Sequence, residues 1–153
     1  MSNTIKTGRY FEEFSVGDKV ISVGRTITET DIVQYAALSG DYDQIHTDAE
    51  FASNSFYGQR VAHGMLVLSI AIGLAVRTGF IEGTAIALRN LDCKFSAPTF
   101  IGDTIHTEME VTSLRPFPRL GGGAVELDVK VLNHDDKIVS RGSLNVLIAN
   151  KPS

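Results

Sequence analysis

The chain has 153 residues, of which 43% are hydrophobic and 21% are charged, and its formal net charge is -4. This composition is typical of a globular domain and excludes disorder, a collagen-like repeat and a coiled coil. The 14 Lys and Arg residues form no basic stripe, so we expect no nucleic-acid partner, and the single cysteine, Cys93, excludes an internal disulfide and a zinc site built on cysteines.

The N-terminal segment gives no sign of export. It lacks the apolar run of a secretory signal, and its acidic pair, Glu12 and Glu13, is unlike a transit peptide. The longest uncharged apolar stretch, Val61–Val76, contains His63 and is shorter than the roughly 20 residues that cross a bilayer. We therefore expect one domain over residues 1–153, located in the cytoplasm and without a membrane partner.

Alternating apolar residues predict a half-buried strand over Lys19–Ile27. The pattern places Ile21, Val23 and Ile27 on one face, at the two-residue period of a strand. We expect that face to contact the core.

A helix is predicted directly after this strand. Thr28 and Asp31 have the spacing of a capping box, and apolar side chains recur at helical spacing until Gly40 ends the run. The polar segment 41–60 is then predicted to be an elaborated loop with one short helix, over Asp48–Ala52.

The second half of the chain predicts a buried helix and four strands. Residues 64–79 are apolar almost all round, so other elements should enclose this helix. Alternation then predicts strands over 85–95, 104–111, 124–132 and 142–148, with a bulge near Arg89 and Asn90, where the phase slips. We expect an α+β domain whose sheet packs on one helix, and a homodimer that covers its open edges.

The densest cluster of ionisable side chains lies in the predicted loop, between Gly40 and Asp48. If the loop folds back, Asp41 and His46 could hold one water molecule and exchange protons with it near neutral pH. Alternatively, Asp41, Asp43 and Asp48 are solvated turn and capping residues. A metal site is a further alternative, but the calcium-loop pattern is absent, and we expect no metal and no cofactor.

A second candidate feature is His63-Gly64, at the start of the predicted apolar helix. Backbone N–H groups at a helix N-terminus are unpaired, and Gly64 would let a carbonyl oxygen approach them, as in an oxyanion hole. His63 could equally be a core or capping histidine, and the Ser69 hydroxyl could bond to the carbonyl four residues earlier.

Three segments taken together, SGDYDQIHTD, FYGQRVAHGMLVLS and CKFSAPTFIGDTI, closely resemble the MaoC-like hydratases, which are (R)-specific enoyl-thioester hydratases of the hotdog superfamily. The resemblance spans nearly the whole chain. It implies a hotdog fold, in which a curved antiparallel sheet wraps around a long helix, and a homodimer with the acyl thioester near the subunit interface.

The resemblance also implies residue roles and a reaction. Asp41 and His46 look like the catalytic pair that activates water, and Gly64 looks like the backbone donor to the thioester carbonyl, with His63 and Ser69 as neighbouring substrate-binding residues. The implied reaction is reversible hydration of a trans-2-enoyl thioester, expected on coenzyme A, to the (R)-3-hydroxyacyl thioester. The alternatives are a hotdog thioesterase and a non-catalytic protein that binds acyl thioesters.

One position departs from the family pattern, because Asp43-Gln44 stands where the family usually has Asn-Pro. Without the proline the loop loses a backbone constraint, and a second carboxylate lies two residues from Asp41. We expect this change to affect the pH optimum, the substrate choice or hydration itself.

Overall fold

One antiparallel sheet and one long helix dominate the structure, which is a computed structural model that describes residues 8–152. The strands are β1 (Lys19–Ile21), β2 (Arg25–Thr26), β3 (Ala85–Phe95), β4 (Thr104–Phe117), β5 (Gly122–Asn133) and β6 (Ile138–Ala149). The helices are α1 (Glu29–Ser39), α2 (Gln44–Thr47), α3 (Ala49–Ser53) and α4 (Gly64–Arg77), with 3₁₀ turns at Phe11–Glu13 and Pro118–Leu120. The strand order is β1-β4-β5-β6-β3, with β2 also on β4, so β3 lies at one edge.

Helix α4 packs against the sheet and supplies much of the core. Its buried side chains are Leu66, Val67, Leu68, Ala71, Leu74 and Ala75. They contact apolar residues of the long strands, such as Ile105 and Val131. Within one chain the other elements enclose only part of this helix, because Met65 is 52% exposed.

Local sequence signals set the ends of α1 as predicted. The Thr28 hydroxyl accepts a hydrogen bond from the Asp31 N–H, and the Asp31 carboxylate accepts one from the Thr28 N–H, which completes the capping box. Gly40 ends the helix in the left-handed region, at φ 79°.

The prediction for the first strand is wrong about which side chains are buried. The structure divides it into β1 and β2, and Ile21 and Val23 are exposed, whereas Val20 packs against the core and Ile27 is fully buried. The break falls at Ser22, so the side-chain alternation does not continue from β1 to Ile27.

The four later strands are confirmed, and three of them extend beyond their predicted ends. The predicted bulge is also confirmed, because the register between β3 and β6 shifts between Leu88 and Asn90. The short helix α3 begins after Asp48 as expected, but the sequence pattern did not predict α2.

Asp31, in α1, accepts a hydrogen bond from Arg25, in β2. We therefore expect Asp31→Asn to lower the free energy of unfolding by about 1–3 kcal/mol at neutral pH. Burial alone would raise the pKa of Asp31, but hydrogen bonds from Thr28 and from Arg25, at 2.7 Å, outweigh it and hold the pKa below its ordinary value of 3.8. The carboxylate therefore stabilises the fold above that value, and this stabilisation is lost as pH falls through the lower folded-state pKa.

Urea unfolding of wild type and Asp31→Asn at several pH values measures this effect. The difference should be largest at neutral pH and should shrink in acid. Asp136→Asn is the control, because Asp136 is exposed and has a left-handed backbone that asparagine tolerates. Equal stability of wild type and Asp31→Asn at neutral pH would contradict the assignment.

Candidate active site

Two carboxylates of the acidic loop act as helix caps. Asp43 Oδ1 accepts a hydrogen bond of 3.0 Å from the Ile45 N–H and so begins α2. Asp48 Oδ1 accepts one of 2.9 Å from the Phe51 N–H and begins α3. The Asp43 carboxylate therefore caps α2, the helix that carries His46. An asparagine at this position could cap the helix in the same way.

Asp41 lies between α1 and α2 with its side chain exposed. Its N–H donates to the Ser39 hydroxyl at 3.2 Å, and its Oδ1 accepts from the Asp43 N–H at 3.2 Å. These two contacts orient the carboxylate and still leave lone pairs for a further partner.

His46 is fixed by one hydrogen bond to the main chain. Its Nδ1 lies 2.7 Å from the carbonyl oxygen of Val61. Since a carbonyl oxygen only accepts, Nδ1 must carry the proton, and in the neutral ring Nε2 then keeps its lone pair. His46 is thus presented as a proton acceptor at Nε2, and the residue lines the cleft described below.

The fold brings the two predicted catalytic residues together. Asp41, His46 and His63 each place one nitrogen or oxygen atom within 4.8 Å of the others. One water molecule that makes two hydrogen bonds of about 2.8 Å at a near-tetrahedral angle spans about 4.6 Å. The upper limit of 4.8 Å leaves room for one water molecule between Asp41 and His46.

The same three residues are poorly arranged for a metal ion. The rings of His46 and His63 are stacked, with centroids 3.8 Å apart and planes at 25°. The lone pair of an imidazole nitrogen lies in the ring plane, so two stacked rings direct their lone pairs side by side and not at one point about 2.0–2.1 Å from both. This geometry favours a water molecule over a metal ion as the shared partner of Asp41 and His46.

A cleft of about 530 Å³ opens beside His46, within the range of roughly 300–1,000 Å³ common for small-molecule sites. Its lining residues are mostly apolar and include Phe56, Tyr57, Gly64, Phe95 and Thr99. The Gly64 N–H, at the first position of α4, has no hydrogen-bond partner among the described residues. A Cβ atom on Gly64 would lie 3.1 Å from the Phe95 ring, so glycine lets this ring lie close to the helix terminus.

Two other predicted site residues lie outside the lining of this cleft. Ser69 is exposed, and its hydroxyl donates to the Met65 carbonyl at 2.7 Å, which is the bond four residues back that we considered as its alternative role. His63 is buried, and its Nε2 lies 3.0 Å from the carbonyl oxygen of Asp41. Their predicted substrate-binding roles stay predictions.

The sequence analysis expected pocket residues between Ala49 and Arg60 without ranking them, and Phe56 and Tyr57 of that range line the cleft. Phe56 is 98% exposed at the cleft, in edge contact with Tyr57. An aromatic pair inside a polar segment is the signal that could have found them. The Val61 carbonyl carries no such signal, because any residue has one.

Comparisons with known proteins show the family. The family model described as the MaoC like domain matches residues 13–132. The chain is 41% identical to Protein MaoC of Klebsiella aerogenes, over 66% of this chain and 30% of that protein. It is 36% identical to the (R)-specific enoyl-CoA hydratase of Rhodospirillum rubrum, over 70% of this chain and 72% of that protein. It is 30% identical to the 3-hydroxybutyryl-CoA dehydratase of Methylorubrum extorquens, over 93% and 85%.

The chain therefore belongs to the MaoC-like dehydratase family, although it spans less than a third of the Klebsiella protein. Among solved structures, R-hydratase PhaJ1 from Pseudomonas aeruginosa superposes with a TM-score of 0.81 at 27% identity, over 93% of this chain and 86% of that chain. A Mycobacterium tuberculosis protein with a double hotdog fold gives 0.85 at 22% identity, over 95% and 46%.

These findings confirm the predicted α+β hotdog fold. They also confirm, at the level of the family, the predicted class of hydro-lyase, the enoyl-CoA hydratases and dehydratases. No helix within residues 8–152 is both long enough and apolar enough to cross a membrane.

The capping role of Asp43 gives a matched pair of variants. Asp43→Asn keeps an oxygen acceptor for the Ile45 N–H, so α2 should remain intact, whereas Asp43→Ala should destabilise it by about 1 kcal/mol. Hydrogen–deuterium exchange over Gln44–Thr47 should be faster in Asp43→Ala and close to wild type in Asp43→Asn. If Asp43→Ala exchanges like wild type, Asp43 does not hold α2.

Proposed function

We propose that this protein catalyses the reversible addition of water to the double bond of a trans-2-enoyl-CoA, giving the (R)-3-hydroxyacyl-CoA. The observation that supports the proposal is that Asp41 and His46 place ligand atoms within 4.8 Å of each other, beside a cleft that His46 and Gly64 line. Coenzyme A as the carrier and the (R) configuration are supported by the names of the Rhodospirillum and Methylorubrum relatives.

In this proposal the water molecule is held by the Asp41 carboxylate and His46 Nε2. The Nδ1–H bond to Val61 fixes the ring so that Nε2 accepts a proton from the water as its oxygen bonds to C3 of the substrate. The electrons of the double bond move toward the thioester oxygen, and as they return, the Asp41–His46 pair delivers to C2 the proton that was taken from the water. Water is thus added across the double bond, and both side chains return to their starting protonation.

The thioester oxygen gains negative charge in this step, and the N-terminus of α4 is placed to stabilise it. Among the described residues the Gly64 N–H has no acceptor, and the helix dipole favours negative charge at this end. Because glycine has no side chain, the oxygen can approach this N–H closely. The remainder of the acyl thioester would occupy the cleft between Phe56 and Phe95.

We expect Asp41→Asn and His46→Gln each to lower kcat for crotonyl-CoA hydration by roughly 10²–10⁴, with the fold unchanged. Each variant removes one of the two groups that hold and deprotonate the water. The measurement is the loss of absorbance of the conjugated enoyl thioester. Matched controls are Asp136→Asn and His134→Gln, on the exposed turn between β5 and β6. Wild-type rates in both site variants would remove the pair from the mechanism.

We also propose that the protein is a homodimer that pairs through β3. Among the described strands β3 pairs only with β6, which leaves the main-chain groups of its other edge without partners. Its large apolar side chains are unusually open, with Leu88 56% exposed and Phe95 47% exposed. A second copy related by a two-fold axis would pair antiparallel with this edge and cover both.

The exposed part of Phe95 belongs to the cleft, so such a partner would also stand beside the substrate. The proposed dimer therefore explains why the apolar side chains of α4 and β3, such as Met65 and Leu88, remain open in one chain.

We further propose that residues 1–153 act as one domain in the cytoplasm, a location consistent with the single Cys93.

Leu88→Glu should convert the dimer into a monomer, because it places a charge on the face that the partner covers. Sedimentation analysis should give twice the chain mass of 16.6 kDa for wild type and a single chain mass for the variant. Val23→Glu is the control, since Val23 is also exposed and lies between β1 and β2, at the opposite end of the strand order from β3. A monomeric wild type, or a dimeric Leu88→Glu, would contradict pairing through β3.

A further inference from the structure

The ring of His63 lies at the centre of the site without lining the cleft. It is only 3% exposed, whereas its chain neighbours Ala62 and Gly64 both line the cleft. One side of the ring stacks on His46, at a centroid distance of 3.8 Å, and the Tyr35 ring lies 4.9 Å away at a tilt of 58°. His63 is therefore enclosed by aromatic groups, one of which is the proposed base.

The imidazole of His63 also holds the Asp41 segment. Its Nε2 lies 3.0 Å from the Asp41 carbonyl oxygen, which can only accept, so Nε2 carries the proton and donates. Its other nitrogen, Nδ1, is buried and has no hydrogen-bond partner among the described residues. The His63 ring thus donates its Nε2–H to the main chain of Asp41, the residue that supplies the proposed catalytic carboxylate.

The main chain of His63 sets the third part of the site. Its carbonyl oxygen accepts from the Val67 N–H at 3.1 Å, and His63 is the N-cap of α4. The next N–H in the chain is that of Gly64, the proposed donor to the thioester oxygen. One residue therefore contacts the segment of Asp41, the ring of His46 and the start of α4.

We propose that His63 is a positioning residue, which holds Asp41 and His46 close enough to share one water molecule and does not itself bind substrate. This inference rests on the proposed hydratase function. A displacement of about 1 Å in a catalytic group can cost about 100-fold in rate. The loss of both His63 contacts, the hydrogen bond to the Asp41 carbonyl and the stacking on the His46 ring, should therefore lower kcat. Since the ring does not line the cleft, KM should change little.

Three substitutions separate the two contacts. His63→Gln places an amide N–H near the position of Nε2 but has no ring, and His63→Phe keeps a ring but has no donor. His63→Asn lacks the ring, and its amide is too short to reach the Asp41 carbonyl. We expect kcat to fall by about 100-fold in His63→Asn and by about tenfold in each of the other two, with KM within about threefold of wild type.

The kinetic outcomes are decisive. Unchanged kcat in all three variants would overturn the proposal, and so would a large rise in KM at constant kcat, because that result assigns His63 to substrate binding. Partial rescue by His63→Gln relative to His63→Asn supports it when the two variants are equally stable in thermal unfolding, because equal stability excludes a difference in packing as the cause. Thermal unfolding and near-UV circular dichroism identify any variant that fails to fold.

Hydrogen exchange separates this proposal from the proposed function. If wild type hydrates no enoyl-CoA, the reaction assignment fails, but the positioning claim can still be tested. Amide exchange over residues 40–47 should be faster in His63→Asn than in wild type, and His63→Gln should restore part of the protection. Equal exchange in wild type and His63→Asn would overturn the positioning role, whatever the activity.

Discussion

The hydrogen bond from His46 Nδ1 to the Val61 carbonyl joins the two segments on which the site depends. It ties the acidic loop to the chain that leads into α4, and a second bond, from the Val61 N–H to the Ile45 carbonyl, runs the opposite way at 3.3 Å. The Ala62 N–H in turn donates to the Thr99 carbonyl at 2.8 Å. Two main-chain hydrogen bonds thereby hold the segment before α4 against the acidic loop and the far wall of the cleft, and the Val61 carbonyl orients the His46 ring.

The apolar helix gives this arrangement its rigidity. Much of α4 is buried against the long strands, and burying such side chains contributes about 1.5–3 kcal/mol each. Its N-terminus therefore lies at a fixed point beside the cleft, where Gly64 can face a substrate. Leu68 and Ile72 of α4 line one cavity with Leu91 and Cys93 of β3, so the proposed partner paired along β3 would lie beside the helix.

The sequence predicted features that depend on neighbouring residues. The capping box of α1 and its glycine end follow from local chemistry at Thr28, Asp31 and Gly40, and the bulge at Asn90 follows from a change of phase within one strand. The exposed Ile21 could not be predicted in this way, because the break after β1 depends on Ser22, which exchanges two 2.9 Å hydrogen bonds with the distant Thr107.

In the site, too, the features set by neighbouring residues were predictable and those set by distant contacts were not. The types and spacing of Asp41 and His46 made them candidates, and the fold supplies the convergence that their spacing left open. The helix α2 is only four residues long and has no periodicity, although its cap, Asp43, is visible in the sequence. The stacking of His63 on His46 and the Val61 carbonyl depend on contacts 15 or more residues apart, which no local pattern records.

The most direct test of the proposed hydration is to follow purified wild-type protein with crotonyl-CoA in two parallel assays, one for the conjugated enoyl thioester and one for free thiol. We expect the conjugated absorbance to fall while no thiol is released, and the product to be the (R)-3-hydroxybutyryl thioester. Release of thiol would instead indicate a thioesterase. Unchanged absorbance with crotonyl-CoA and with longer and branched enoyl-CoA substrates would contradict the hydratase assignment.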